Sequence, residues 1–479
     1  MKTSVKAATL AAALLFFLLG GCWISGKLLF IWFGFDNRQP GLFTWLQYFH
    51  FVNDPRYAAY ATRIKATGVA GLGLSLLLWL GMVLWMFRSP RRSTHGDARF
   101  ADSSDLAKAG LTSDDPTGVL IGRLGRTYLR DKGQRFIVLA APTRSGKGVG
   151  VVVPVLLDYR QNVVVLDIKQ ENYDLTSGYR RSLGQEVFMF SPFAENGATH
   201  RWNPLRYVSE HPGQRVGDLR AIAQMLYPDG DGTGNQQFFT DHARNVFLAL
   251  CLYLFESYDQ NKSRKRPLPY PTFGQLYRTS AGNGSDLKQH LSDLAGDDRL
   301  SEVCRTAFAG FLSQAQETFS SIMGTFNAPL TAWADPLLDA ATSADDFDLR
   351  EVRRRPMSIY LCVSPNKLSQ AALVFNLFFS QLINENTKAL PSQDSTLTRQ
   401  CLLLMDEFTS IGAVDIIAHA VSYMAGYNLR LLPIIQTAFN KTALAGINQV
   451  ITADQCMFTQ GSQTHCLLTG GLYGNKTAI

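Results

Sequence analysis

Arg135-Phe136-Ile137-Val138-Leu139-Ala140-Ala141-Pro142-Thr143-Arg144-Ser145-Gly146-Lys147-Gly148 is an apolar run that ends in a basic, glycine-bearing turn. The run Phe136 to Ala140 predicts a buried strand. Strand, turn, lysine and then helix is the arrangement of a phosphate-binding P-loop. There, backbone N–H groups wrap the phosphates, the helix N-terminus adds its dipole, and the lysine reaches the terminal phosphates. Pro142, Thr143, Arg144, Ser145, Gly146, Lys147, Gly148 and Val149 are therefore the expected nucleotide contacts. Two positions depart from the pattern: Ala141 stands in place of the first glycine, and Gly148 in place of the Ser or Thr that binds magnesium. The next helix is expected to start near Gly148, yet Val149 to Pro154 is β-branched and ends in proline, which costs about 3 kcal/mol inside a helix. Local conflicts of this kind gather at functional sites or where tertiary packing overrides propensity. Taken alone, a basic strand-to-helix turn would look the same, so the partner residues decide.

Those partners lie far downstream. Cys401-Leu402-Leu403-Leu404-Met405 leads into Asp406-Glu407, a hydrophobic strand ending in two carboxylates. Asp406 is placed to hold a magnesium ion and Glu407 to orient and deprotonate an attacking water. Leu429 to Ile435 forms another apolar run, closed by Gln436, which fits a polar sensor of the terminal phosphate. Asp406 lies 259 positions after Lys147 (406 − 147), a gap too long for a few βαβ units of about 30 residues. Val163 to Asp167 and Ser358 to Val363 supply two further core strands. From about 210 to 345 strand patterning stops, and Val246, Leu250, Tyr253 and Leu254 keep helical spacing instead. The expected fold is α/β: a P-loop core with an inserted all-α domain.

At 479 residues, with 46% apolar and 18% charged positions, the chain is long enough for two or three domains and too apolar for disorder. The net charge of +7 suits DNA or anionic lipid without demonstrating either. Seven cysteines fall singly, which reads as buried thiols and not as a disulfide or zinc framework. Residues 7–26 and 68–87 are two uncharged runs of 20, each about 30 Å long as a helix and so able to span a bilayer. Lys2 and Lys6 precede the first run, and Arg88, Arg91 and Arg92 follow the second. The positive-inside rule puts both ends in the cytoplasm, with 27–67 as an outward loop, although Arg63 and Lys65 oppose that bias. That loop holds eleven aromatic residues, which suits the membrane interface or a partner membrane protein. Leu19-Gly20-Gly21-Cys22 resembles a lipoprotein cleavage site; a cysteine in a small-residue span is preferred, because a cytoplasmic body needs an even number of crossings.

Thr94 to Ala101, Ala141 to Gly148, Asp167-Ile168-Lys169 with Glu171, Arg201-Trp202-Asn203-Pro204-Leu205, and Asp406 to Ser410 together resemble the coupling proteins of conjugation and type IV secretion (TraG type). So does the stretch Thr318 to Asp348, and the likeness extends over about residues 90–436. The resemblance implies a RecA-like P-loop NTPase core, an ATPase using ATP and Mg2+, and a homo-hexamer. It further implies a multi-pass protein of the bacterial inner membrane, in contact with lipid and with inner-membrane components of the secretion channel, that delivers relaxase–DNA complexes or effector proteins. Expected boundaries are 1–90 for the anchor, 91–209 and 346–436 for the nucleotide-binding domain, 210–345 for the helical domain, and 437–479 for an atypical tail that reads as truncated or diverged. In the tail, Ile447 to Phe458 is a candidate replacement strand. An FtsK-like DNA translocase, or a non-hydrolysing substrate receptor with a degenerate motor, are the alternatives.

Overall fold

The computed structural model describes residues 3–35, 38–87, 99–142, 144–229, 234–265, 268–282, 284, 286–411, 415–435, 457–460, 465–468 and 477–478. Thr143 and Gln436, and most of the tail including 447–456, lie outside these described residues. The chain forms two compact units, 1–96 and 97–479.

The first unit is a helical hairpin. Its helices, Thr3–Trp32 and Ala58–Phe87, are each 30 residues long and overrun the 20-residue uncharged cores at both loop-side ends. Both contain a stretch long and apolar enough to cross a membrane, within Thr9–Trp32 and Pro55–Leu84. The expected loop 27–67 is thus shorter than the sequence suggested, since Lys27 and Lys65 sit in helices, and it carries a helix of its own, Thr44–His50. Lipid gives two apolar helices no hydrophobic reason to associate, so close approach through small residues must supply the contact. That is the geometry here. A β-carbon added at Gly21 would lie 2.9 Å from Ser75 Oγ, and one at Gly71 would lie 2.9 Å from the Gly21 carbonyl oxygen. Ser25 donates to that same carbonyl at 2.8 Å, and Trp79 Nε1 donates to Leu10 O at 3.2 Å. In the loop, Trp45 is buried and donates Nε1 to Ile64 O. Phe35, Phe43, Tyr48, Phe49, Phe51, Tyr57 and Tyr60 stay exposed.

The second unit is built on six parallel strands: β1 Leu139–Ala140, β2 Asn162–Ile168, β3 Glu186–Phe190, β4 Met357–Val363, β5 Cys401–Met405 and β6 Leu429–Ile435. Their order across the sheet is β1-β6-β5-β2-β4-β3. β2, β4, β5 and β6 are buried at every residue, because a parallel sheet is covered on both faces. β1 is shorter than the five residues expected. Its register nevertheless continues outward, Ile137 N–H donating to Leu431 O and Ala141 N–H to Ile435 O.

Strand alternation splits the core in two. Val163, Val165, Tyr360, Leu402 and Leu404 face a layer made by Val152, Val155, Leu156 and Tyr159 and by the hairpin Val119–Leu124/Thr127–Asp131. Val164, Leu166, Ile359, Leu361, Leu403 and Met405 face the helix Leu368–Asn386 and the helical insertion. Between Pro212 and Ala341 the described residues contain seven α-helices and no strand. Val246 and Leu250 are fully buried there, with Tyr253 and Leu254 packed beside them, as their spacing implied. Cys22, Cys251, Cys304, Cys362 and Cys401 are free and buried. At the far end of the chain Met457–Gln460 does form a strand, but it pairs antiparallel with His465–Leu468 in a separate small sheet that also contains Arg99–Phe100 and Thr477–Ala478.

The amino edge of the sheet is closed by three buried arginines. Arg180 is fully buried and donates to the carbonyls of Leu156, Tyr159 and Gln161 and to Gln185 Oε1 and Ser358 Oγ. Arg430 donates to the carbonyls of Arg135 and Asp131, and Arg353 to those of Ala389 and Tyr427. Burial lowers the pKa of all three, yet each stays charged because its carbonyl partners replace water. Arg180→Met keeps the volume and strands the buried acceptors, at about 1–3 kcal/mol each. The expected outcome is an unfolding free energy lowered by on the order of 3 kcal/mol or more, read as a lower urea midpoint with an unchanged slope; a midpoint within error of wild type would show that the carbonyls find other donors.

Candidate active site

Parallel α/β sheets bind ligands beyond the carboxyl ends of their strands. Here that edge also holds the unusual backbone. Arg144 (φ 63°) and Gly146 (φ 80°) follow β1, Lys169 (φ 87°) and Gln170 (φ 66°) follow β2, and Glu407 (φ 52°) follows β5. Left-handed conformations in non-glycine residues cost of order 1–3 kcal/mol each and cluster at functional sites. Four of them on one edge mark it without any reference to motif.

The P-loop lysine and the two carboxylates meet there, although 259 residues separate them in sequence (406 − 147). They meet because β6 alone lies between β1 and β5. Lys147 Nζ is 3.3 Å from Asp406 Oδ1 and 4.0 Å from Glu407 Oε1. At 3.3 Å the lysine and Asp406 form an ion pair whose angles miss hydrogen-bond geometry. Lys147 Nζ, Asp406 Oδ1 and the Ser145 hydroxyl are all buried atoms with no hydrogen-bond partner among the described residues. Buried charge without hydrogen bonds is expensive, so such a cluster fits a ligand that brings oxygens to the lysine and a cation to the carboxylate. ATP with Mg2+ has that donor set: phosphate oxygens for Lys147 and the loop N–H groups, and the metal for Asp406.

The segment after Lys147 is not an ordinary helix start. Gly148–Val152 winds as a single π-helical turn before the α-helix Val153–Asp158, with Pro154 in its first turn. A π turn widens the backbone and is favoured at functional sites. It also resolves the propensity conflict, because Pro154 falls where a new helix begins. Val149 is 82% exposed, so its expected role as a nucleotide contact rests on its backbone.

Asp167 ends β2, next to β5 in the sheet. Its carboxylate accepts from Asn172 N–H (3.2 Å), Asn172 Nδ2 (3.1 Å) and Tyr173 N–H (2.7 Å), holding the start of the helix Glu171–Ser182. Burial pushes its pKa up to about 6, with the negative charge of Asp406 adding to the rise and the three hydrogen bonds opposing it. The other quoted motif, Arg201 to Leu205, does not join this site. It forms the joint where the chain leaves the sheet for the helical insertion. Arg201 makes a bidentate pair with Asp346, Asn203 N–H donates to Asp345 and its Nδ2 to Pro271 O, and Trp202 N–H donates to Ala341 O. The outgoing and returning strands of chain are thus clasped together. The expected sensor Gln436 follows β6 directly but falls outside the described residues, as does Thr143.

Comparison with known proteins agrees with this architecture. Protein VirD4 of Agrobacterium fabrum (strain C58 / ATCC 33970) is 32% identical over 431 residues, 88% of this chain and 61% of the relative. Conjugal transfer protein TraG of Escherichia coli is 25% identical over 419 residues, 79% of this chain and 64% of the relative. The chain therefore spans a little over three fifths of the length of these curated relatives. In fold it is similar to the conjugative coupling protein TrwB, solved without its first 70 residues and with sulphate (TM-score 0.52, 15% identity, 78% of this chain and 80% of that one). It is equally similar to TrwB solved with ADP and Mg2+ (TM-score 0.51, 15% identity, 78% and 84%). The family profile for conjugative DNA transfer by the type IV secretory system matches residues 96–460, and over that span, well beyond half of its length, the chain belongs to the type IV coupling protein family.

Proposed function

We propose that the chain is the membrane-anchored ATPase that couples substrates to a type IV secretion channel. The observation that carries this reading is the buried, hydrogen-bond-free meeting of Lys147 with Asp406 beside Glu407 at the carboxyl edge of the sheet. TraG is named a conjugal transfer protein, and TrwB has been solved with ADP and Mg2+ and with a non-hydrolysable ATP analogue. Magnesium, bound with the nucleotide and held by Asp406, would supply positive charge against the phosphates. Lys147 and the loop N–H groups from Arg144 to Gly148 bind and orient the phosphates. Asp406 fixes the cation. Glu407, held on its strained backbone, takes the proton of the attacking water. Lys147 Nζ and Glu407 Oε1 lie 4.0 Å apart, which supports a reading in which both act on one terminal phosphate.

Lys147→Ala removes the cation that the phosphates need and is expected to abolish nucleotide binding. Glu407→Gln keeps the site's shape and removes the base, so ATP should bind normally and turn over about 10²–10⁴-fold more slowly. Turnover of Glu407→Gln at the wild-type rate would exclude Glu407 as the base.

The helical insertion, about 210–345, is the part of the second unit that a P-loop core does not require, and it is proposed as the cargo-recognising domain. Its helices share one continuous apolar core with the sheet face, so excision would strip that face. Exchange is the better test, because Trp202 and Ala341 already lie side by side. Replacing residues 212–341 with the matching segment of VirD4 should transfer the relative's choice of relaxase or effector in pull-down experiments; retention of the original choice would assign recognition elsewhere.

The two apolar helices are proposed to cross the inner membrane, with both ends and the ATPase body in the cytoplasm. A reporter enzyme fused after Phe87 should be active in its cytoplasmic form, and activity confined to a periplasmic reporter would reverse this topology.

A further inference from the structure

We infer that Gly148 leaves the divalent-cation half of the site one protein oxygen short, so that the cation is held by Asp406 and the nucleotide's own phosphates and exchanges readily. This rests on the ATP reading above.

In a P-loop the residue after the lysine normally places a hydroxyl on Mg2+. At Gly148 nothing in the fold forbids one. A β-carbon built there meets no atom within 4 Å, and its φ is not in the left-handed range. Among the described residues, no neighbouring side chain occupies that space. Nor do nearby carboxylates compensate. Asp167 spends both its oxygens on Asn172 and Tyr173, and the described residues contain no group of three or more His, Cys, Asp or Glu side chains able to hold a metal ion. At this edge of the sheet, among the described residues, Asp406 Oδ1 is a buried carboxylate oxygen left without a hydrogen bond.

Mg2+ demands near-octahedral coordination and keeps waters where protein oxygens are lacking. With one oxygen fewer, water fills the vacancy and the protein dictates less of the ion's geometry. Two consequences follow. Nucleotide binding should need more Mg2+ than in a P-loop with a hydroxyl, and it should discriminate weakly among Mg2+, Mn2+ and Ca2+.

The experiment uses the full chain in detergent and a fluorescent ATP analogue, reading equilibrium binding while Mg2+, Mn2+ or Ca2+ is titrated. Gly148→Thr should lower the half-saturating Mg2+ concentration by about tenfold, a typical contribution of a group that supports a bound metal, and should favour Mg2+ over Ca2+. Gly148→Ser should do the same, guarding against a local effect of the β-branched residue. Gly148→Ala, which adds the β-carbon without the oxygen, is the reference against which the Thr and Ser midpoints are read, so that any effect of the β-carbon on the loop itself cancels. Equal midpoints for the Thr and Ala variants would overturn the inference. So would a comparable loss of Mg2+ affinity in Ser145→Ala, because the Ser145 hydroxyl would then be supplying the missing oxygen. Failure of wild type to bind the analogue at any metal concentration is a separate result: it removes the nucleotide reading, and this inference with it.

Discussion

A parallel sheet cannot leave either face in water, and the second unit of this protein is organised by that constraint. β2, β4, β5 and β6 are buried throughout, which is why their sequences read as unbroken apolar runs and not as alternating ones. One face is covered by the helix that continues the P-loop and by the hairpin before it. The other needs far more cover than a short crossover can give. It receives the long helix Leu368–Asn386 and a helical insertion that packs into the same core. The insertion is thus a structural necessity for that face as well as a candidate recognition domain. Its two chain crossings are clasped by Arg201 and Asp346, so the two parts meet through a paired joint and a shared core.

Hydrogen-bond accounting separates scaffold charges from working ones. At the amino edge Arg180, Arg353 and Arg430 are buried as deeply as anything in the protein, and their guanidinium groups are occupied by backbone carbonyls. They tie strand ends and loops together. At the carboxyl edge Lys147 and Asp406 are also withdrawn from water, yet their facing atoms make an ion pair and no hydrogen bond. So poor an arrangement calls for an explanation, and a ligand that completes it at the ligand-binding edge of the sheet is one. Asp167, on the neighbouring strand, shows the contrast: its three hydrogen bonds hold the start of the next helix, although it too lies at the end of a core strand.

The first unit follows the logic of a helix pair able to cross a membrane, where lipid would offer no hydrophobic drive for pairing. Gly21, Ser25, Gly71 and Ser75 line the contact and let the backbones approach until a single added β-carbon would collide. Larger residues such as Leu15, Phe16, Leu77 and Leu84 point outward. The aromatic residues of the connecting segment divide similarly: Trp45 is pinned to Ile64 and packs over Gly68, while its neighbours remain exposed, as side chains of the membrane interface do.

Much of this was legible in the residues themselves. The P-loop, the acidic strand end, the apolar strands and the two long apolar helices are each written in local pattern, because buried parallel strands and helices able to cross a membrane both require continuous apolar sequence. The change to helical spacing near 210 likewise marked the insertion. What the residues could not express is adjacency. Nothing local says that β6 lies between β1 and β5, yet that order alone brings Lys147 within 3.3 Å of Asp406. The overlong anchor helices, the π turn after Lys147 and the antiparallel pairing of the tail were missed for a related reason: they are settled by helix–helix contact, by how a helix must enter a crowded loop, and by which strand edges are available. The left-handed residues Arg144, Lys169, Gln170 and Glu407 carry no sequence signal either, since only a surrounding fold can hold them there. Sequence by itself determined which segments are buried and which side chains are chemically able to act; the tertiary structure decided which of them meet, because strand order is fixed by packing both sheet faces at once.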